Sequence, residues 1–172
     1  AKVDNVHMKN VYLNVKNDTV RAGALIGVAR QAIVQNSSVT DVTIEKNIVN
    51  TNTAIGGIVG WSEHSIIQYS YAQNVNIKSE KSYIDNGIGG IVGREAGSGG
   101  TIQYCYSTGK IYTDAQFVGG IYGYTSGYVN DTYSILNIYS QGDYIGGIGG
   151  YDANSSTTST KENIYLGNLY TQ

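Results

Sequence analysis

Proline is absent from the 172 residues, and cysteine, methionine, tryptophan and phenylalanine occur once each. Proline removes a backbone donor and breaks helices and central strands, so a chain without it is free to pair its backbone throughout. The single cysteine, Cys105, excludes an intramolecular disulfide framework and any cysteine-rich zinc module. Charge is sparse as well: charged residues are 14% and the net charge is −2, which gives nucleic acid or an anionic membrane surface no electrostatic hold. Apolar runs end after about five or six residues, against the roughly 20 that a membrane-spanning helix needs. No signal peptide is visible, and a start at Ala1 suggests a piece of a longer protein. With 41% hydrophobic residues the chain is too apolar to be disordered, and its length suits one domain covering residues 1–172.

What the chain has instead is 23 glycines and 16 tyrosines, and the glycines are ordered. A glycine-framed apolar cassette recurs five times: Ala22–Gly27, Ile55–Gly60, Ile88–Gly93, Val118–Gly123 and Ile145–Gly150. The closing glycines are 33, 33, 30 and 27 residues apart. A second unit with alternating apolar positions lies between them. Val3, His7, Val11 and Leu13 align with Val34, Ser38, Val42 and Ile44, and then with Ile67, Tyr71, Val75 and Ile77. Shortened copies run from Ile102 through Tyr106 to Ile111 and from Val129 through Tyr133 to Ile138. A last half-copy, Lys161 to Leu169, is expected to set Tyr165 in the column of Tyr71, Tyr106 and Tyr133.

Periods of this length belong to solenoids, propellers and arrays. Alternation, Tyr and β-branched enrichment, and Asn, Asp, Gly and Ser clusters between the runs all signal strands. A propeller blade needs four strands in about 40 residues, more than these spacings hold. The expected fold is therefore an all-β parallel solenoid of about five coils, with a core roughly 24 Å long at about 4.8 Å per coil. Within each cassette the fourth residue is aliphatic (Leu25, Ile58, Ile91, Ile121, Ile148). Period two sets it on one face with its flanking glycines, lining an interior where opposite walls approach closely.

The cassette Ile-Gly-Gly-Ile-Val-Gly, together with strands such as Thr101–Ile111, resembles the GLUG repeat of bacterial surface proteins. That family includes adhesins and zinc metallopeptidases of the immunoglobulin A protease type. The opening Val3–Leu13 and the closing Asn163–Tyr170 resemble the segment preceding the peptidase domain in the second group. The resemblance implies a bacterial cell-surface or secreted location and a non-catalytic role for this part of the chain. It also implies that the parent is a zinc metallopeptidase, with a host glycoprotein such as immunoglobulin A as a partner. The peptidase motif itself, His-Glu-x-x-His, is missing: the two histidines, His7 and His64, stand alone. No catalytic residue, metal site or cofactor is expected here. The chain begins and ends in strand-like sequence, so neighbouring domains of the parent are expected to cover the solenoid ends.

Directly after the closing glycines come Val28, Trp61, Arg94, Tyr124 and Tyr151. In register, Trp61, Arg94 and Tyr124 would stack as a cation–π sandwich, and with Tyr151 they form the candidate binding edge. Such an edge serves either as an exosite or, in an adhesin, as the site for a host glycan or protein. A carbohydrate-active β-helix enzyme is a further alternative. Asp85, Asp114 and Asp143 precede their closing glycines by 8, 9 and 7 residues, and stacked they could act on a sugar or hold calcium. Each also sits in a turn-like context, where Asp is common for conformational reasons. Cys105, between Tyr104 and Tyr106, should point inward as a small hydrophobe. Asn154–Thr160 reads as a loop.

Overall fold

The computed structural model describes residues 1–16, 19–47, 52–79, 87–154 and 160–171. Every element is a β-strand, and each full coil has four. The first coil holds β1 (Lys2–Asp4), β2 (His7–Val15), β3 (Thr19–Gly23) and β4 (Ile26–Arg30). The second holds β5 (Ile33–Gln35), β6 (Ser38–Lys46), β7 (Asn52–Gly56) and β8 (Val59–Glu63). The third consists of β9 (Ile66–Gln68), β10 (Tyr71–Ser79), β11 (Gly87–Gly89) and β12 (Val92–Ala96). In the fourth are β13 (Thr101–Gln103), β14 (Tyr106–Thr113), β15 (Phe117–Gly119) and β16 (Tyr122–Thr125). The fifth is β17 (Tyr128–Asn130), β18 (Tyr133–Ser140), β19 (Tyr144–Gly146) and β20 (Gly149–Asp152), followed by the short β21 (Thr160–Lys161), β22 (Ile164–Tyr165) and β23 (Leu169–Thr171).

Equivalent strands of successive coils pair in parallel, giving four sheets that run the length of a five-coil solenoid. The aligned positions stack one above another: Val3, Val34, Ile67, Ile102 and Val129 form one column of the first sheet. Ile44, Ile77, Ile111 and Ile138 form another in the second sheet. These residues of coils two to five have no exposed surface, and they merge with Ile55, Ile88, Val118, Val59 and Val92 into one continuous core. Burying an aliphatic side chain contributes about 1.5–3 kcal/mol, and stacked columns repeat that gain in each coil.

The shrinking period is absorbed without losing this register. β14 and β18 have eight residues where β2, β6 and β10 have nine, and the pairing shifts once between Ala72 and Val75. Turns repeat too. Asn5, Asn36, Tyr69, Tyr104, Asp131 and Glu162, each between the first and second sheets, all adopt φ between 49° and 56°. Asn and Asp take this left-handed region readily, whereas Tyr does so at some cost. Tyr69 and Tyr104 stack at 4.9 Å, which offsets part of it.

Two expectations are corrected. The cassette is not one alternating strand: it ends one strand, bends at its third and fourth residues and begins the next, as in β7 to β8. Its glycines therefore point across an arch. A Cβ on Gly60 would lie 2.7 Å from the Arg21 carbonyl carbon, and one on Gly93 would lie 2.8 Å from the Ala54 carbonyl carbon. The third and fourth sheets meet so closely there that only glycine fits. The second correction concerns Tyr165, which pairs with Ser134 while Ile164 occupies the Tyr133 column. Tyr165 turns inward, its ring lies against Gly147, and its hydroxyl donates to the Leu136 carbonyl at 3.0 Å.

Candidate functional site

The arch decides which side chains meet at the solenoid edge. Because the chain reverses within the cassette, the residues just before and just after it come to the same margin. After the cassette, Val28, Trp61, Arg94, Tyr124 and Tyr151 stand in one register column of the fourth sheet. Before it, Arg21, Ala54, Gly87, Phe117 and Tyr144 stand in one column of the third. The small residues Ala54 and Gly87 leave room beside the large ones of the fourth sheet.

The four residues expected at this edge are brought together, and three more join them. The Arg94 guanidinium carbon lies 5.1 Å from the Trp61 ring centre and 4.2 Å from that of Tyr124. Arg21, from the preceding coil, lies over Trp61 at 4.3 Å. Tyr124 stacks on Tyr151 at 5.6 Å, and Phe117 packs within 5.3–5.6 Å of Tyr124, Tyr144 and Tyr151. Each cation–π contact contributes about 0.5–1 kcal/mol at a partly exposed site. A guanidinium held by its face keeps its N–H edge in the plane between the rings, the geometry that suits a carboxylate or sulfate. The two columns contain two guanidinium groups and no carboxylate, in a chain whose net charge is −2. Within this rail the Arg21 Nε and the Trp61 Nε1 are buried without a hydrogen-bond partner. An unsatisfied buried donor costs about 1–3 kcal/mol, and such local costs gather at functional sites.

Arg21, Phe117 and Tyr144 were not marked by the pattern that marks Trp61. Their signal is the position immediately before each cassette, and it becomes visible only once the cassette is known to be an arch.

Other singled-out residues fall elsewhere. Asp85 lies outside the described residues, as do residues 155–159 of the expected loop. Asp114 and Asp143 do not stack: pairing of Phe117 with Tyr144 aligns Asp114 with Gln141 and Asp143 with Gln116. No group of three metal-ligating side chains occurs among the described residues. Cys105 is 1% exposed, and burial pushes its thiol up to about 12. Its Sγ lies 3.2 Å from the Gln103 carbonyl, the bond that Ser37 and Ser70 make to Gln35 and Gln68 two coils and one coil earlier. It is a packing residue in a serine-like turn position.

One titratable group escaped the sequence reading. Glu95, next to Arg94, points the opposite way and has no exposed surface. Its Oε1 accepts the His64 backbone N–H at 3.1 Å, and its side chain fills the space beside Gly100. Burial raises its carboxyl to about 7, against the lowering effect of the nearby Ser62 hydroxyl and of the hydrogen bond from the His64 backbone.

Comparison with protein-family models, with curated proteins and with solved structures finds no match to the chain. The functional reading therefore rests on this geometry and on the resemblance of the repeats.

Proposed function

We propose that the chain is a non-catalytic recognition and spacing module of a large bacterial surface protein. The resemblance of its cassettes to GLUG repeats favours a parent of the immunoglobulin A protease type, a zinc metallopeptidase whose catalytic domain lies elsewhere in sequence. The observation that carries the recognition role is the register-aligned rail of Arg21, Trp61, Arg94, Phe117, Tyr124, Tyr144 and Tyr151. Aromatic residues and arginine are the types that dominate protein interfaces energetically. A rigid stack immobilises them beforehand, which reduces the ordering cost of binding. The partner this rail suits carries acidic groups among apolar ones, and a host glycoprotein such as immunoglobulin A is the candidate that the repeat resemblance offers.

An adhesin repeat uses the same rail as its own endpoint, without a peptidase domain beyond it. The extension of the rail across all five coils favours this second reading, because a long lateral surface holds a partner by itself. Surface plasmon resonance of immunoglobulin A and other host glycoproteins over the immobilised chain tests the recognition role common to both readings. Saturable binding that Trp61→Ala or Arg94→Ala weakens roughly tenfold or more supports it. Absence of binding by every glycoprotein, with the fold intact, leaves spacing as the function. Adding the parent's peptidase domain then separates the two readings: only an exosite raises the rate of substrate cleavage.

A further inference from the structure

The second sheet carries a site on a different face of the solenoid. Tyr112, Tyr139 and Tyr170 occupy one column at its end and stack with ring centres 4.4 Å apart and planes within 10°. Two residues further along, just beyond the ends of β14 and β18, come Asp114 and Gln141 of adjacent coils. Between the two rows lies a groove of about 270 Å³ lined by Tyr112, Thr113, Asp114, Tyr139, Ser140, Gln141 and Tyr170.

Every lining side chain ends in a hydrogen-bonding group: five hydroxyls, one carboxylate and one amide. None of the seven is cationic, but Lys110 Nζ lies 5.6 Å from the Tyr112 ring centre and the buried Lys46 interacts with the Asp114 carboxylate. The tyrosine faces cover one another, so the ladder offers the groove ring edges and phenolic oxygens and leaves little open face for stacking. The turns bearing the polar row are fixed in place. Thr113 Oγ1 accepts the Ala115 N–H at 3.0 Å, Ser140 Oγ accepts the Gly142 N–H at 3.1 Å, and the Gln141 N–H donates to the Thr113 carbonyl at 3.3 Å. A set of donors and acceptors held this way is preorganised for a ligand that is itself dense in hydroxyls.

We infer that this groove is a binding subsite for one neutral hexose unit of a glycan. The volume sits just below the range of about 300–1,000 Å³ typical of drug-sized ligand clefts, which suits one sugar ring. Asp114 and Gln141 accept from adjacent sugar hydroxyls, and the phenols donate to ring and hydroxyl oxygens. The seven lining residues carry one carboxylate and no cation, so a carboxylated or sulfated sugar finds no counter-charge among them. One carboxylate without an aligned second does not make a glycosidase pair, so the subsite binds without cleaving. The inference is independent of the arginine–aromatic rail.

The test is NMR titration of the chain, with tyrosine rings labelled, using methyl glycosides of glucose, galactose, mannose and N-acetylglucosamine at millimolar concentrations, and of sialic acid as the charged control. At least one neutral glycoside is expected to shift Tyr112, Tyr139 and Tyr170 saturably while Tyr71, Tyr106 and Tyr133 stay still. Asp114→Asn should weaken that binding roughly tenfold. Tyr139→Phe, which keeps the stacked ring and removes only the hydroxyl, should weaken it severalfold. No saturable shift with any neutral glycoside overturns the inference. Equal response of both tyrosine ladders, tighter binding of the sialoside, or affinity unchanged in both variants overturns it as well.

Discussion

The same cassette position has different surroundings in the middle and at the ends of the solenoid. Ile58, Ile91 and Ile121 are fully buried, whereas Leu25 in the first coil and Ile148 in the fifth are only partly so. Ile148 follows the same Gly-Gly pair as the three buried isoleucines, and Leu25 follows Gly23-Ala24, so at the fifth coil the difference comes from the neighbours. The third and fourth sheets end at β3 and β4 on one side and at β19 and β20 on the other, so the middle coils are covered twice and the end coils once. A local motif thus sets the shape of the arch, and the stacking of further copies sets what that shape is worth. This is the nearest-neighbour energetics expected of repeat proteins.

The largest effect separating middle from end should come from adding one methyl group. A Cβ on Gly90 would run into the Gly120 carbonyl, the Leu136 side chain and, at 2.7 Å, the Ser107 Cβ. Backbone cannot yield there, so Gly90→Ala should cost about 3 kcal/mol, or about 10 °C in Tm by thermal unfolding. At the equivalent Gly147 of the fifth coil the atoms nearest the added carbon belong to the ring of Tyr165, a side chain that can turn away. Gly147→Ala should therefore cost less than about 1 kcal/mol. Equal losses at the two sites would show that the glycines serve backbone conformation and not close approach.

A smaller effect sharpens the same comparison through Glu95, which only a middle coil can bury completely. Its carboxyl is raised from 4.5 to about 7, so the native state binds a proton more tightly than the unfolded chain. The associated stability is fully present below the unfolded value and is lost as pH rises through about 7. A shift of this size corresponds to about 3 kcal/mol at most, and relaxation of the Gly97–Gly100 turn would reduce it. Chemical denaturation should show the protein more stable at pH 5 than at pH 8, with Glu95→Gln removing most of that slope. A flat profile in the unsubstituted protein would mean that the buried carboxylate is better solvated than its position implies.

Stacked columns were legible in the amino-acid order because their chemistry is local. Ile67, Ile102 and Val129 could be aligned by alternation, and Trp61, Arg94, Tyr124 and Tyr151 by counting from each closing glycine. What alternation could not supply was the direction in which the chain bends. It carried period two straight through the cassette, so Arg21, Phe117 and Tyr144 were not seen to share an edge with Trp61. It also placed Tyr165 by the identity of its ring, although Asn163 and Ile164 set the frame. The Tyr112, Tyr139 and Tyr170 ladder was missed for a related reason: the third rung belongs to β23, beyond the end of the regular repeat. Nothing in the sequence around Glu95 marks it as buried; the turn at Gly100 closing over it does so.

The central claim is that two sheets, meeting at a glycine arch, present one rail to a partner. Trp61, the only tryptophan, reports on it directly. Its emission should be titrated with immunoglobulin A in the unsubstituted chain and in Arg21→Ala and Arg94→Ala variants. Saturable change that both substitutions weaken to a similar extent is the predicted result, because both guanidinium groups lie over that ring. Binding that saturates equally well without either arginine would contradict the account.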